Sequence, residues 1–124
     1  MRSIGITTGR TVEIISAYAA SAQPIPAVPS SPGWFVVGSL YLPVSSPAQL
    51  EAIGFALPGV AMHVRLFDLT GTSPVTGSVV TINTPIDTRV LSGILQLAGN
   101  RTYQIQAEAI GPTGFAMLKS AQLV

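Results

Sequence analysis

Proline and glycine cut this chain into short pieces, and their spacing constrains the fold more than any other feature of the sequence. Ten prolines and twelve glycines separate runs that are rich in Val, Ile, Thr, Tyr and Phe. The runs recur about every ten residues, which is typical of antiparallel sandwiches and barrels, and no helix cap is followed by a 3.6-residue apolar period. The sequence therefore predicts an all-β fold, an antiparallel β-sandwich or jelly roll of about seven to nine strands.

Apolar and polar residues alternate most clearly over residues 101–110. This alternation predicts a strand with Tyr103 and Ile105 on a buried face and polar side chains on a solvated face. A second strand is predicted over 60–69, with Val64 and Leu66 facing the core. Further strands are expected at 34–42, 49–57, 77–83, 88–97 and 114–123, the last ones joined into a meander by turns at 99–100 and 111–114.

The organisation expected from the sequence is a single domain with an N-terminal arm. The arm covers residues 1–33, with short strands at 3–7 and 11–18, and the β-sandwich covers residues 34–124. Four prolines between residues 24 and 32 favour an extended, polyproline-like path without a regular ladder of hydrogen bonds. This segment is expected to be a strap, which either crosses the end of the sandwich or lies on a neighbouring subunit.

The content of charged residues is unusually low and favours contact with other proteins. Asp, Glu, Lys and Arg make up 9% of the chain, whereas about 25% is usual in a soluble domain. A surface with so few charges exposes apolar patches of the kind that mark interaction sites. The basic residues are scattered singly and the net charge is +1, so a nucleic-acid partner is not expected.

The sequence gives little information about location. Prolines interrupt the most apolar half, so it lacks the run of about 18 apolar residues that a membrane-spanning helix needs. Arg10 and Glu13 lie where the apolar region of a secretory signal would stand, and no signal peptide is expected.

Two predicted strands, 34–42 and 49–57, carry apolar side chains on both faces. Only one face of a sandwich sheet can point into the core, so the other face needs a cover from the N-terminal segment or from another chain. In 34–42 the side with Trp34 and Val36 is assigned to the core, and the opposite side to an interface that also includes the outward side of 60–69. The candidate interface residues are Phe35, Val37, Tyr41, His63, Arg65 and Phe67.

The residues that could carry catalysis are few and scattered. The chain has one histidine and no cysteine. Asp68 is the carboxylate closest to His63 along the chain, but an odd separation places the two on opposite faces of a strand. The other acidic residues lie on separate predicted elements. The sequence therefore predicts no catalytic residue, no metal or cofactor site and no enzymatic activity.

Three stretches resemble small jelly-roll structural proteins of viruses and phages, namely residues 62–78, 95–105 and 116–124. Together they combine a strand, an Asp-containing turn and a closing strand, and the similarity is greatest to decoration or cement proteins on capsids. The resemblance extends over residues 34–124. It implies a trimeric or otherwise symmetric protein that clamps neighbouring shell subunits, located on a virion or another assembled particle. It carries no functional residue over to this chain.

Two functions follow as hypotheses. The first is a non-catalytic structural protein that forms a homo-oligomer or docks on a protein shell through apolar β surfaces, such as a capsid decoration or cement protein. The alternative is a carbohydrate-binding or adhesion module, which would present Trp34 or Tyr41 to a glycan. The two are distinguished by solution mass and by glycan binding.

Overall fold

In the computed structural model the described residues are 2–4, 12–14 and 23–124, and all regular structure within them is β. The strands are β1 (Arg2–Ile4), β2 (Val12–Ile14), β3 (Gln23–Val28), β4 (Phe35–Leu42), β5 (Ser46–Ala48), β6 (Leu50–Ala56), β7 (Ala61–Asp68), β8 (Ser73–Pro74), β9 (Val80–Ile82), β10 (Thr88–Leu91), β11 (Leu95–Leu97), β12 (Arg101–Ile110) and β13 (Phe115–Leu123).

Nine of these strands form one curled sheet in the order β10-β6-β13-β3-β12-β7-β8, with β4 paired to β12 and β9 to β7. The sheet folds over at β3, so the half containing β6 and β13 packs on the half containing β12 and β7 around a common core. Among the strands of the described residues, every pairing is antiparallel except that of β3 with β12. The predicted fold class, an all-β sandwich with seven to nine strands, is confirmed.

The core residues expected from alternation are buried where the two halves meet. Tyr103 and Ile105 of β12 and Val64 and Leu66 of β7 all face this core. The predicted strands at 34–42, 49–57, 60–69, 101–110 and 114–123 correspond closely to β4, β6, β7, β12 and β13. Strict alternation over β7 and β12 therefore correctly indicated which residues face the core.

The Pro-rich segment departs from its prediction, because residues 23–28 form a regular strand. Strand β3 pairs with β13 on one edge and with β12 on the other. Pro24 and Pro26 are compatible with this because successive N–H groups of a strand point to opposite edges. The Ala27 N–H donates to Gly114 O on the β13 side of the strand, so the nitrogens of Pro24 and Pro26 face the opposite edge. On that edge β12 pairs only with residues 27 and 28, so the prolines do not interrupt a ladder.

The pairing of β3 shows how one part of the predicted N-terminal arm is packed. Ile25 of β3 belongs to the hydrophobic core, so at least residues 23–28 pack as part of the sandwich. Two short strands were predicted at 3–7 and 11–18, and the described residues of this region form β1 and β2, which pair with each other. The remaining residues of both predicted strands lie outside the described residues. The division into residues 1–33 and 34–124 stays a prediction.

The predicted C-terminal meander is wrong. Strand β12 pairs with β4, β7 and β3, whereas β13 pairs with β6 and β3. The turn at 111–114 therefore connects the two halves of the fold instead of closing a hairpin. The predicted strand 88–97 is also divided, because β10 pairs with β6 and β11 pairs with β5.

A β-bulge in β4 changes which side chains of 34–42 face the core. Gln106 pairs with Val36 but Ile105 pairs with Gly38, so one extra residue, Val37, stands in β4 between them. Leu40, beyond the bulge, is buried as predicted, whereas Val36 is exposed. The assignment of Trp34 and Val36 to the core is wrong because the bulge reverses the alternation at that point.

Candidate functional site

The outward side of β4, β12 and β7 gathers polar and aromatic side chains, and we call it the polar-aromatic face. Register partners on neighbouring strands share a face. Thr102 lies beside Tyr41, Gln104 lies between Ser39 and Phe67, and the next rungs carry Arg65 and His63. The polar-aromatic face consists of Ser39, Tyr41, His63, Arg65, Phe67, Thr102, Gln104, Gln106 and Glu108, with the exposed Val36 beside Gln106 and Trp34 above Arg65.

Arg65 lies at the centre of this face between two aromatic rings. Its Cζ atom is 4.1 Å from the ring centroid of Trp34 and 5.5 Å from that of Phe67. Its Nε–H donates to Gln106 Oε1 at 2.9 Å, and Gln106 Nε2 donates to Gln104 Oε1 at 3.1 Å. Cation–π contacts with both rings and this relay of hydrogen bonds restrain the guanidinium group.

Glu108 ties the segment before β4 onto the polar-aromatic face. Its side chain is only 2% exposed, and it accepts hydrogen bonds from Ser31 Oγ at 3.0 Å and from the Gly33 N–H at 2.8 Å. His63 Nδ1 lies 3.0 Å from Glu108 Oε2, and since a carboxylate only accepts, the ring nitrogen is the donor. These contacts place Trp34, the next residue after Gly33, over Arg65.

The predicted solvated face of 101–110 is therefore partly covered. Gln106 and Glu108 are buried, because the segment containing Ser31 and Trp34 lies over that end of β12. The carboxylate that contacts His63 is Glu108 and not Asp68, which is the closest along the chain. Glu108 faces His63 across the β7–β12 ladder, and only the register between two distant strands could have indicated this.

The group formed by Ser31, Glu108 and His63 does not have the geometry of a catalytic triad. In a triad the hydroxyl contacts the imidazole, and the carboxylate contacts the other ring nitrogen. Here the Ser31 hydroxyl contacts the carboxylate itself. Within residues 24–124, whose side chains are described, no group of three His, Cys, Asp or Glu residues could hold a metal ion.

The structure brings together four of the six predicted interface residues. Tyr41, His63, Arg65 and Phe67 lie on the polar-aromatic face. Phe35 pairs with the core-facing Ala107 and thus lies on the opposite side of the sheet. Val37 stands in the bulge and packs partly against the core. That any of these six residues contacts another molecule stays a prediction.

A second concave region lies at the start of β12, next to the β7–β8 hairpin. Its cavity of about 220 Å³ is lined by Asp68, Arg101 and Tyr103, among others. Burial raises the pKa of Asp68, but hydrogen bonds from the Gly71 N–H and from Arg101 outweigh burial, so the pKa lies below its usual value. The Arg101 charge is thus already neutralised within the cavity, at an Nη1 to Oδ2 distance of 2.6 Å.

Comparisons with known proteins show similarity of fold alone. No protein-family model and no curated protein sequence matches the chain. A carbohydrate-binding module from the Cellvibrio mixtus lichenase 5A, solved in complex with cellotriose, is similar with a TM-score of 0.52 and 13% identity, over 89% of this chain and 95% of that one. At such low identity the match supports the fold and transfers no ligand.

The VP2 protein of infectious bursal disease virus, solved as a subviral particle, is similar with a TM-score of 0.55 and 9% identity, over 99% of this chain. The Gt strain structure gives 0.53 and 10%. This chain spans only 37% and 36% of those two chains. A viral β-sandwich and a carbohydrate-binding module are therefore both neighbours in fold.

No described helix is long and apolar enough to cross a membrane.

Proposed function

We propose that this chain is a non-catalytic β-sandwich binding module, and that its polar-aromatic face binds a polysaccharide. The observation that carries the proposal is an exposed aromatic ring, Tyr41, on the same sheet face as Trp34 and Phe67 with hydroxyl and amide groups between them. Aromatic rings stack on apolar surfaces of a ligand while nearby polar groups fix its orientation.

The size of the face favours an extended ligand. Tyr41 pairs with Thr102, and Arg65 pairs with Gln106. These two positions on β12 are separated by about 13 Å, from the rise per residue of a strand. A chain of several sugar units can contact both ends of such a face, whereas a monosaccharide cannot.

The composition of the same face disfavours assembly through it by burial of apolar surface alone. Its centre holds Arg65, Gln104 and Gln106 in a hydrogen-bonded chain. Burying a charged group under an apolar partner surface costs free energy unless the partner supplies acceptors. A ligand rich in oxygen atoms meets this requirement, which supports a glycan over an apolar protein surface.

Tyr41→Ala is expected to weaken polysaccharide binding about tenfold or more, because it removes the most exposed ring of the face. Affinity gel electrophoresis against a panel of plant, algal and bacterial polysaccharides measures this. Tyr41→Phe keeps the ring and should bind nearly as well as the parent chain. Val44→Ala is the matched control, since Val44 is 55% exposed, against 52% for Tyr41, and lies beyond the end of β4. A parent chain that binds no polysaccharide in the panel refutes the proposal.

A second candidate function, a structural component of a protein shell, is supported by apolar residues elsewhere on the surface. Leu91 of the edge strand β10 and Ile86 and Ile94 on either side of it are exposed. Edge strands with apolar side chains are frequent sites of association. Light scattering after size exclusion is expected to give a stable oligomer if this function holds. A monomer at high protein concentration contradicts it.

A further inference from the structure

Arg65 differs from the other cationic side chains that the structure describes. Arg89 pairs with Glu51, Arg101 with Asp68 and Lys119 with Asp87. Within residues 24–124, Arg65 has no carboxylate within 4.0 Å and makes its one side-chain hydrogen bond through Nε. Its charge is held between the two aromatic rings and not neutralised by an acid.

The terminal nitrogens of Arg65 have no partner in the protein and are not fully buried. No buried side-chain nitrogen or oxygen among the described residues lacks a hydrogen-bond partner. Because Nη1 and Nη2 have no partner, they are not buried. The same reasoning applies to Nε2 of Gln104, whose Oε1 already accepts from Gln106, and to Nε1 of Trp34.

The centre of the polar-aromatic face thus presents unpaired hydrogen-bond donors. The one carboxylate on the face, Glu108, is buried and accepts from Ser31, Gly33 and His63. Its oxygens are therefore occupied by donors within the protein and do not contact a ligand on the surface. A ligand complementary to this surface supplies acceptors and negative charge.

We propose that Arg65 binds the carboxylate of an acidic polysaccharide, so that the ligand of the polar-aromatic face is a glycan containing uronic acids. This inference rests on the proposed glycan-binding function and specifies its ligand. A guanidinium presents parallel N–H donors that match the two oxygens of a carboxylate. The Cζ atom of Arg65 lies over both rings and its Nε–H is hydrogen-bonded, so the guanidinium is already restrained and less conformational entropy is lost when the carboxylate binds.

The test compares one polymer in two forms. Polygalacturonate is offered to the parent chain beside the same polymer after chemical reduction of its carboxyl groups to primary alcohols. We expect the reduced polymer to bind at least about tenfold more weakly, and binding of the acidic form to weaken as NaCl is raised. Because only the ligand changes, this comparison does not depend on any variant folding.

Three variants test whether Arg65 is responsible for the preference for the acidic polymer. Arg65→Met is expected to bind the acidic polymer about as weakly as the parent binds the reduced one. Lys119→Met removes the same charge from the other half of the sandwich, where Lys119 pairs with the exposed Asp87, and should leave binding unchanged. Arg65→Lys keeps the charge without the fork and is expected to lose most of the preference.

The outcomes separate this inference from the function on which it rests. Equal binding of the acidic and reduced polymers overturns the carboxylate assignment and leaves glycan binding intact. A preference for the acidic polymer that survives in a folded Arg65→Met chain overturns the role of Arg65. Absence of binding to both polymers and to the wider polysaccharide panel overturns the proposed function itself.

Discussion

Ile25→Asp is expected to leave the chain unfolded at room temperature. Ile25 is 2% exposed in β3 and belongs to the core, between strands of both halves. An unpaired carboxylate at this position costs several kcal/mol, which is comparable with the whole stability of a typical domain, about 5–15 kcal/mol. Far-ultraviolet circular dichroism and a urea titration measure the result.

Ile86→Asp is the matched control, because the same substitution is made at a side chain that is 71% exposed. It should fold with a urea midpoint close to that of the parent chain. The comparison also decides the status of the N-terminal region. If Ile25→Asp folds as well as Ile86→Asp, then β3 is a dispensable arm and not part of the sandwich core.

Glu108→Ala is expected to lower the free energy of unfolding by about 2–4 kcal/mol, since it leaves the Gly33 N–H, the Ser31 hydroxyl and His63 without their acceptor. The released segment no longer holds Trp34 over Arg65. Trp34 is the one tryptophan of the chain, so its fluorescence reports on this site. Its emission should shift to longer wavelength in the folded variant as the ring becomes more exposed to water.

Glu108→Gln serves as the control for this substitution. The amide keeps one oxygen that can accept from the Gly33 N–H, so its loss of stability should be smaller and its emission closer to that of the parent. A Glu108→Ala chain with unchanged urea midpoint and unchanged emission would show that Glu108 does not anchor the segment in front of β4.

The fold class and much of the core could be predicted because they depend on local patterns. Alternation over 101–110 and 60–69 correctly indicated the buried faces of β12 and β7. The bulge in β4 could not be predicted in the same way. It is defined by a shift in pairing between β4 and β12, and the extra residue reverses the faces of the residues before it relative to those after it.

The candidate site depended on contacts between distant residues, and sequence reasoning found it only in part. Arg65, His63 and Phe67 were correctly grouped because they alternate on a single strand. Glu108 was missed because its partners Ser31 and His63 lie on other elements, and no spacing along the chain relates them. The strand formed by the Pro-rich segment was missed because prolines usually argue against strand pairing. Only the pairing of β3 with β13 and β12 shows that the proline nitrogens face an edge where no partner needs their missing N–H.

The position of β3 has a consequence for the order in which the protein can fold. Strand β3 is synthesised well before β12 and β13, with which it pairs through Ala27, Val28 and Ile25. The core side chain Ile25 and both edges of β3 stay without native partners until residues 101–123 have left the ribosome. Folding of this sandwich therefore depends on closing a long loop and not on successive local hairpins. It is expected to be slow, with a period in which the nascent chain is prone to aggregation.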